Sequence, residues 1–565
     1  MKVNVKLGVF LLSLTLSGCG GIPNSSEVFF GEVISEDISA QFVRVIARPP
    51  SAGMTPELIV RGFLDACADP AQDYEIARQY LMPESASIWN PEAGIEIYDA
   101  TTMQISGDAP NLVAVAEKQG NISDLGKYAS ANPGDQTSSN FELVQDELGQ
   151  WRISRLSNGI LLSRGDVDRS FRSFPIYFFN TALTSLVSDS LLVPVSNSGA
   201  ATSLVRSLLA GPSPYLAPVA VTAFPVGTEL TYGSVPIING VAQVDLSKEI
   251  LGADEVTRRA LTAQLVWTLS VLPNVSGVQI SVSGQPFVLS DIGAIQNVKD
   301  WERLSPLPNE DLRILNVIRR EKLLVIGDNS DEVRAIAPTA LLFGAASQDG
   351  SNIAAVTFDR KSLLLAQPDS TSFTVLAQGE VISRPSWDNS GRVFYADFGQ
   401  GITEISEDAA VRAVIADVSE LGTTQQVKQI EVAGDGVRVA VVYSDGVADV
   451  LAIGAIFRTD TETRIIGLHR VEQEITQVKD IAWNTPTSIV AIASDPLGGE
   501  LLFDISLNDG KVSARSLPVG ARTLAVDGAG NIFVGAVDGS NQIIYQKRVS
   551  SWSEITQGTG IFFTR

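Results

Sequence analysis

The chain has 565 residues, of which 45% are hydrophobic and 19% are charged, and its formal net charge is −23 at pH 7. This length predicts about two to four domains of roughly 150 residues each, with enough apolar side chains to form real cores. The negative charge disfavours nucleic acid and anionic lipid headgroups as partners. A single histidine, His469, excludes a zinc site that is built from several histidines.

The first residues have the pattern of an export signal. Lys2 and Lys6 precede an apolar run over 7–16, which is about half of the ~20 residues that a membrane-spanning helix needs. Small residues then lead to a cysteine in the string Leu16-Ser17-Gly18-Cys19. This string resembles the lipobox of bacterial lipoproteins. The alternative is an ordinary secretory signal that carries a cysteine by chance.

The lipobox resemblance implies cleavage before Cys19 and diacylation of its sulfur. Residues 1–18 are then a signal peptide and 19–48 a tether. A lipid is needed because the acidic chain is repelled by anionic headgroups, and two acyl chains suffice where one is marginal. We therefore expect a lipid-anchored protein on the extracytoplasmic face of the cell membrane, with no cofactor besides the covalent lipid. The remaining cysteine, Cys67, lies in a helical apolar pattern that predicts a core position and no disulfide.

Residues 49–165 are predicted to form an α+β domain. Thr55 and Pro56 are suited to cap and begin a helix over 56–68, and a second helix is expected over 73–81. Two leading helices followed by an antiparallel sheet are compatible with a cone-shaped fold like that of nuclear transport factor 2. The strands are predicted around 95–97, 112–115, 141–144 and 151–153, with a turn region over 130–140.

Residues 170–290 are predicted to form a second α+β domain. Strands are expected around 176–178, 191–195, 241–246 and 278–282, and helices over 200–210 and 254–272. Gly211-Pro212 and Pro273 are the stop signals of the two helices. The motifs Leu208-Leu209-Ala210-Gly211-Pro212, Val244-Asp245-Leu246-Ser247 and Gln264-Leu265-Val266-Trp267-Thr268-Leu269 occur in the order seen in GerMN domains. That resemblance implies a binding or assembly module without catalytic residues, and Asp245 is predicted to be a cap or turn residue.

Residues 312–565 have the pattern of an all-β domain. Predicted strands begin at 353, 393, 437, 489 and 532, each after a turn signal. The spacings between these starts are 40, 44, 52 and 43 residues, close to the ~40–45 residues of a four-stranded propeller blade. We predict about six blades, with five or seven as open alternatives and stacked β-sandwiches as the other architecture. Pairing of 312–317 with 561–563 is expected to close the ring.

Single residues in the propeller pattern have competing interpretations. Calcium binding is disfavoured for the turn aspartates, because one acid per turn lacks the clustered oxygens that the ion requires. Three tryptophans that are spaced singly at blade starts, Trp387, Trp483 and Trp552, are predicted to be blade core, with sugar stacking as the alternative. The turn aspartates are Asp349, Asp388, Asp435, Asp445, Asp527 and Asp538.

The order of lipobox, small α+β domain, GerMN-like domain and propeller resembles the LpqB family of actinobacterial lipoproteins. The segments 54–66, 77–81 and 89–91 resemble the opening pattern of that family. The resemblance implies contact with the extracytoplasmic domain of a sensor histidine kinase of the MtrA–MtrB two-component type, in cell-envelope homeostasis. The acidity of this chain favours a basic or neutral partner surface.

The sequence assigns no catalytic and no metal-binding residue, so we expect a binding protein and not an enzyme. Two alternatives remain open. One is a module that binds cell-wall glycan without turnover. The other is a propeller hydrolase that cleaves cell-wall glycan with two carboxylates, and an acidic pair with raised pKa in the propeller channel would favour it.

Overall fold

The computed structural model describes residues 47–132, 134–195, 199–306, 313–326, 331–333, 340–367, 370, 372–406, 410–416, 426–471 and 475–564. The predicted signal peptide, the lipobox with Cys19 and nearly all of the predicted tether lie outside these residues. Among the described residues, no helix is long and apolar enough to cross a membrane.

The N-terminal domain begins with three short helices. The first starts where the sequence predicts, because the Thr55 hydroxyl accepts the Leu58 N–H and Pro56 occupies the first helical position. The second helix begins and ends earlier than predicted, and Gln72 to Tyr74 have positive φ values that interrupt its regular part. The third was not predicted, since six residues are too few to show a helical period. The helices are α1 (Pro56–Ala66), α2 (Ala71–Arg78) and α3 (Pro83–Ile88).

The sheet of this domain differs from the predicted one in two ways. Its order is β6-β5-β3-β1-β7, and β1 pairs with β7 in parallel, so the sheet is mixed and not purely antiparallel. Residues 136–140, expected in a turn, extend β5, because the long strand β3 gives them a partner along 113–117. The strands are β1 (Ile95–Tyr98), β2 (Gln104–Ser106), β3 (Asn111–Ile122), β4 (Tyr128–Ser130), β5 (Gln136–Gln145), β6 (Trp151–Arg155) and β7 (Ile160–Ser163).

The middle domain places two sheets around one buried helix. Strands β12 and β13 are parallel and are joined through α6. Every residue of α6 from Ala260 to Leu269 is buried. The sequence predicts an apolar stripe on one side of this helix, but the helix is buried on all sides. Its polar groups are used inside the core, where Thr268 accepts the Tyr177 N–H at 3.1 Å and Gln264 accepts the Ala223 N–H at 2.8 Å. The N-terminal domain ends with α4 (Arg164–Ser170). The elements of the middle domain are β8 (Phe171–Asn180), β9 (Leu186–Pro194), α5 (Ala200–Ala210), β10 (Ala220–Val221), β11 (Ile237–Ile238), β12 (Val241–Leu246), α6 (Glu255–Leu269), β13 (Gly277–Val282), β14 (Gln285–Pro286) and β15 (Ile295–Gln296).

The C-terminal domain is a propeller of six four-stranded blades, in agreement with the predicted architecture. The first three blades contain twelve strands, and the last strand of the chain belongs to the first blade. Blade 1 contains β16 (Ile314–Arg319), β17 (Lys322–Ile326), β18 (Asp331–Val333) and β39 (Thr559–Thr564). Blade 2 contains β19 (Leu341–Ala346), β20 (Ile353–Thr357), β21 (Ser362–Ala366) and β22 (Thr374–Gln378). Blade 3 contains β23 (Ser386–Trp387), β24 (Val393–Asp397), β25 (Gly401–Ile405) and β26 (Val411–Ala416), and blade 4 begins with β27 (Gln426–Val432).

The remaining strands complete blades 4 to 6. Blade 4 continues with β28 (Arg438–Ser444), β29 (Asp449–Arg458) and β30 (Thr463–Arg470). Blade 5 contains β31 (Thr476–Thr485), β32 (Ser488–Ser494), β33 (Glu500–Ser506) and β34 (Val512–Ser516). Blade 6 contains β35 (Ala521–Val526), β36 (Ile532–Asp538), β37 (Asn541–Lys547) and β38 (Trp552–Gln557).

The ring is closed by strands from the two ends of the domain. Strand β39 pairs with β16, with Leu315 opposite Phe563 and Val317 opposite Ile561. This is the closure that the sequence predicts, and it removes the exposed edges that an open array would leave. A second tie joins blades 3 and 4, whose outer strands β26 and β30 pair in parallel.

Candidate functional site in the propeller channel

An arginine blocks the central channel of the propeller. Arg384 lies two residues before the inner strand of blade 3, and its guanidinium donates to the Glu431 carboxylate of blade 4 at 2.5 Å. It also donates to the Asp480 carboxylate of blade 5 at 3.0 Å and to the Leu524 carbonyl of blade 6 at 2.9 Å. One side chain therefore ties four blades together. We call Arg384, Glu431, Asp480 and Gln429 the channel hub.

The two hub carboxyls have shifted acidities. Burial raises the pKa of Glu431 and of Asp480, and the nearby guanidinium of Arg384 opposes the rise in both. Asp480 accepts three further hydrogen bonds: Oδ1 accepts from Gln429 Nε2 at 2.8 Å and from the Ile481 N–H at 3.0 Å, and Oδ2 accepts from the Leu524 N–H at 2.7 Å. Both oxygens of Asp480 are thus held by protein donors, which leaves this carboxylate no free lone pair with which to act as a nucleophile or base.

The channel opens at the N-terminal ends of the inner strands into a cavity of about 940 Å³, which we call the first mouth. Its lining combines cationic side chains with phenylalanines. Lys428 is paired with Asp449 at 2.6 Å, and Lys479 is paired with Glu500. The cationic and aromatic lining residues are Arg360, Arg384, Lys428, Lys479, Arg522, Phe343, Phe358 and Phe398.

The opposite opening, which we call the second mouth, is smaller, with a volume of about 210 Å³. Two of the tryptophans from the sequence analysis lie here. The Trp387 indole donates to the Ala345 carbonyl at 3.2 Å, and the Trp483 indole donates to the Glu431 carbonyl at 2.9 Å. Both are packed between blades, as the core interpretation predicts. Trp552 bonds the Ser516 carbonyl of the neighbouring blade in the same way, at 2.9 Å.

The middle domain is attached to the propeller on the side of the second mouth. Arg438, at the start of β28, is fully buried and forms an ion pair with Asp435. Its guanidinium also donates to the Ser188 carbonyl and, at 2.8 Å, to the Tyr215 hydroxyl of the middle domain. The apolar core of the middle domain continues into blade 4 through Val437 and Ala455.

A loop of blade 5 joins all three domains. The Asn508 carbonyl accepts the Ser190 hydroxyl of the middle domain at 2.7 Å, and the Asp509 carbonyl accepts from Arg164 of the N-terminal domain. Gly510 has a φ of +70°, and a β-carbon there would collide with the ring of Tyr128. These contacts hold the three domains in fixed positions relative to one another.

The remaining residues singled out in the sequence have structural roles. Cys67 is buried, and burial raises the pKa of its thiol. His469 lies on β30, and its Nδ1 is 3.0 Å from the Gly467 carbonyl. Asp245 lies at the end of β12 and accepts from the Ser281 hydroxyl and the Gly284 N–H, both at 2.6 Å, as expected for a turn residue.

Most of the turn aspartates stabilise their own turns. Asp349, Asp388, Asp435, Asp445 and Asp527 each accept a backbone N–H two residues further along the chain. Within the described parts of the chain, no group of three or more histidine, cysteine or acidic side chains is placed to hold a metal ion.

The sequence analysis did not identify Arg384 and Arg438, the two residues that organise this region. Each has a weak signal. Arg438 is the one charge in the apolar run 437–443, and Arg384 precedes a proline at the start of an inner strand. A charge inside a buried strand requires partners, but only the fold reveals which partners these are.

Comparison with known proteins covers all three domains. Residues 49–168 match the family described as Lipoprotein LpqB, N-terminal domain, and 327–562 match the Lipoprotein LpqB beta-propeller domain. Residues 175–288 match the family described as Sporulation and spore germination.

Whole-chain relatives share the same name. A protein named Lipoprotein LpqB from Thermobifida fusca is 26% identical, and the alignment covers 92% of each chain. One from Mycolicibacterium smegmatis is also 26% identical, over 88% of this chain and 87% of its own. Among solved structures, TolB from Acinetobacter baumannii aligns over 47% of this chain and 70% of its own, with 13% identity and a TM-score of 0.38. The tandem GerMN domains of Bacillus subtilis GerM align over 23% and 45%, with 19% identity and a TM-score of 0.19.

Proposed function

Because the chain belongs to the LpqB lipoprotein family, we propose that it is an accessory protein that binds the extracytoplasmic domain of a two-component sensor kinase of the MtrA–MtrB type. The lipid on Cys19 attaches it to the outer face of the cell membrane. It acts by binding and not by catalysis, and its contact biases the signalling state of the kinase.

The observation that carries this proposal is the fixed arrangement of the three domains. Arg438 and the loop 508–510 join them through partly buried hydrogen bonds. A body of this kind presents surfaces from several domains in constant relative positions. Attachment to the same membrane as the kinase raises the effective concentration, so that contacts of modest affinity are sufficient.

A binding experiment with the purified kinase ectodomain tests the proposal. The mature protein, with Cys19→Ser to remove the lipid, is expected to capture the ectodomain in solution and to form a complex of defined stoichiometry. The folded ectodomain of an unrelated sensor kinase serves as the control and is expected not to bind. Equal capture of both ectodomains, or of neither, would show that the proposal is wrong.

One feature of the channel favours an enzyme. The channel contains two carboxyls with raised pKa, Glu431 and Asp480, which is the feature expected of a two-carboxylate hydrolase. Here the Arg384 guanidinium lies between them, and both oxygens of Asp480 are already bonded. A glycosidic bond has no access to such a pair. Release of reducing sugar from peptidoglycan by the purified protein, lost in Glu431→Gln, would overturn this interpretation.

A further inference from the structure

The first mouth has the dimensions of a ligand site. Its volume of about 940 Å³ falls within the ~300–1,000 Å³ of typical small-ligand and peptide pockets. The channel hub forms its floor, since Arg384 and Asp480 both line it. The cavity is therefore a cup that is open on one side and not a passage through the propeller.

Charge is unequally distributed around this cup. Among its described lining residues, five are arginine or lysine and two are aspartate, in a chain whose overall charge is −23. Lys428 and Lys479 are balanced by carboxylates of neighbouring strands. Arg522 is exposed and forms no ion pair with any described residue. A concave surface focuses such a field and attracts anions.

The charges and the aromatic rings occupy different sides of the cup. Lys428, Lys479 and Arg522 come from blades 4, 5 and 6, which are consecutive around the ring. Phe343, Phe358 and Phe398 come from blades 2 and 3, and Phe358 is 56% exposed. The cup thus has a cationic half and an aromatic half, which face each other across the channel axis.

One cation lies on the aromatic half. Arg360 stacks over the Phe343 ring at 6.0 Å and donates to the Ile382 carbonyl at 2.9 Å. Burial lowers the pKa of its guanidinium. An incoming carboxylate would stabilise this partly desolvated charge. Arg360 and Gln477, which also lines the cup, both have positive φ values. Strained backbone of this kind is concentrated at functional sites.

The other two domains leave the cup free. Their contacts with the propeller involve Arg438, Asp435 and the loop 508–510, which lie at the strand ends of the second mouth. All described lining residues of the first mouth belong to the propeller itself. No described residue of the other two domains therefore covers the cup.

We propose that the first mouth binds an extended peptide segment in which acidic and apolar side chains alternate. Successive side chains of an extended peptide point in opposite directions. Such a segment places its carboxylates against Lys479 and Arg522 and its apolar side chains against Phe358. An inorganic anion or an anionic glycan would leave the aromatic half without a partner. The inference does not depend on the kinase being the partner.

A labelled octapeptide of alternating glutamate and leucine is the probe, and its binding to the mature protein is followed by fluorescence anisotropy. Two matched probes replace glutamate by glutamine or leucine by serine. We expect the first probe to bind at least about tenfold more tightly than either matched probe, which corresponds to about 1.4 kcal/mol. Raised salt is expected to weaken this binding.

Two variants in the cup and two controls outside it complete the test. Arg522→Glu and Phe358→Ser are each expected to weaken binding about fivefold or more. The first variant removes a cationic contact for the carboxylates of the peptide, and the second removes an apolar contact for its leucines. Arg515→Glu on β34 and Val375→Ser on β22 change exposed residues of blades 5 and 2 outside the cup, and are expected to leave the affinity unchanged. Circular dichroism and the thermal midpoint identify any variant that fails to fold.

Several results would overturn the inference. Absence of binding by the glutamate–leucine probe, equal affinity for the glutamine probe, or equal losses in the control variants would each do so. Binding of polyphosphate that depends on Arg522, without binding of the peptide, would assign the cup to a different class of anion and would also refute the proposal.

Discussion

The guanidinium of Arg438 lies 2.8 Å from the hydroxyl of Tyr215, across the boundary between the propeller and the middle domain. The arginine is fully buried, and the tyrosine buries its hydroxyl while 37% of the residue is exposed. Burial raises the pKa of Tyr215 to about 12, so the hydroxyl stays protonated and neutral in the physiological range. Asp435 balances the buried charge, and the three groups together determine where the two domains meet.

Replacing Arg438 by methionine is expected to lower the free energy of unfolding by about 3–5 kcal/mol, because Asp435 would become a buried charge without its partner. The middle domain and the propeller should then unfold in separate steps in calorimetry. Arg515→Met, which changes an exposed arginine on β34, is expected to stay within about 0.5 kcal/mol of the parent. A single unchanged transition in Arg438→Met would show that the junction does not couple the domains.

The channel hub is expected to stabilise ring closure. Arg384→Met should lower the free energy of unfolding in urea by about 3–5 kcal/mol, since it leaves Glu431 and Asp480 as buried carboxylates without a cation. Adding Glu431→Gln and Asp480→Asn to this variant is expected to restore much of the loss, because no buried charge remains. If the triple variant is less stable than Arg384→Met alone, the hub does not act through charge compensation.

Cys67 provides a pH-dependent test of the N-terminal core. Burial raises the pKa of its thiol, and a thiol with a raised pKa in the folded state stays protonated while an unfolded one ionises near pH 8.5. In the native protein, with Cys19 replaced, the thiol is expected to be unreactive toward a disulfide reagent between pH 7 and pH 9. In denaturant it should react fully, and faster at the higher pH. Rapid reaction in the native state would place Cys67 at the surface.

Membrane attachment through Cys19 is tested by Cys19→Ala in the full-length chain. The parent is expected in the membrane fraction with labelled palmitate attached, and the variant without label and released from the membrane. Two acyl chains bind a bilayer far more stably than one, so the shift between fractions should be nearly complete. A reporter of the kinase pathway measured in the same cells connects attachment with signalling. Retention of the variant in the membrane fraction would refute the lipid anchor.

Local sequence was sufficient for those features that depend on neighbours in the chain. Thr55 and Pro56 started α1 as predicted, since a cap requires only the next few residues. Turn signals at near-regular spacing predicted the propeller. The need to close the ring predicted the pairing of 312–317 with 561–563, and the structure has Leu315 opposite Phe563. Five of the six turn aspartates act as turn residues, because each accepts an N–H group two positions away.

Tertiary structure alone decided the features that join distant parts of the chain. The parallel pairing of β1 with β7, the burial of α6 on every side and the interrupted start of α2 depend on what surrounds each segment. Arg384 reaches Asp480 and Leu524 across the channel, and Arg438 reaches Tyr215 in another domain. In the sequence each is an arginine beside apolar residues. The partners of Arg438 are up to 250 positions away. No periodicity of the chain records that separation, since it is set by how whole domains pack.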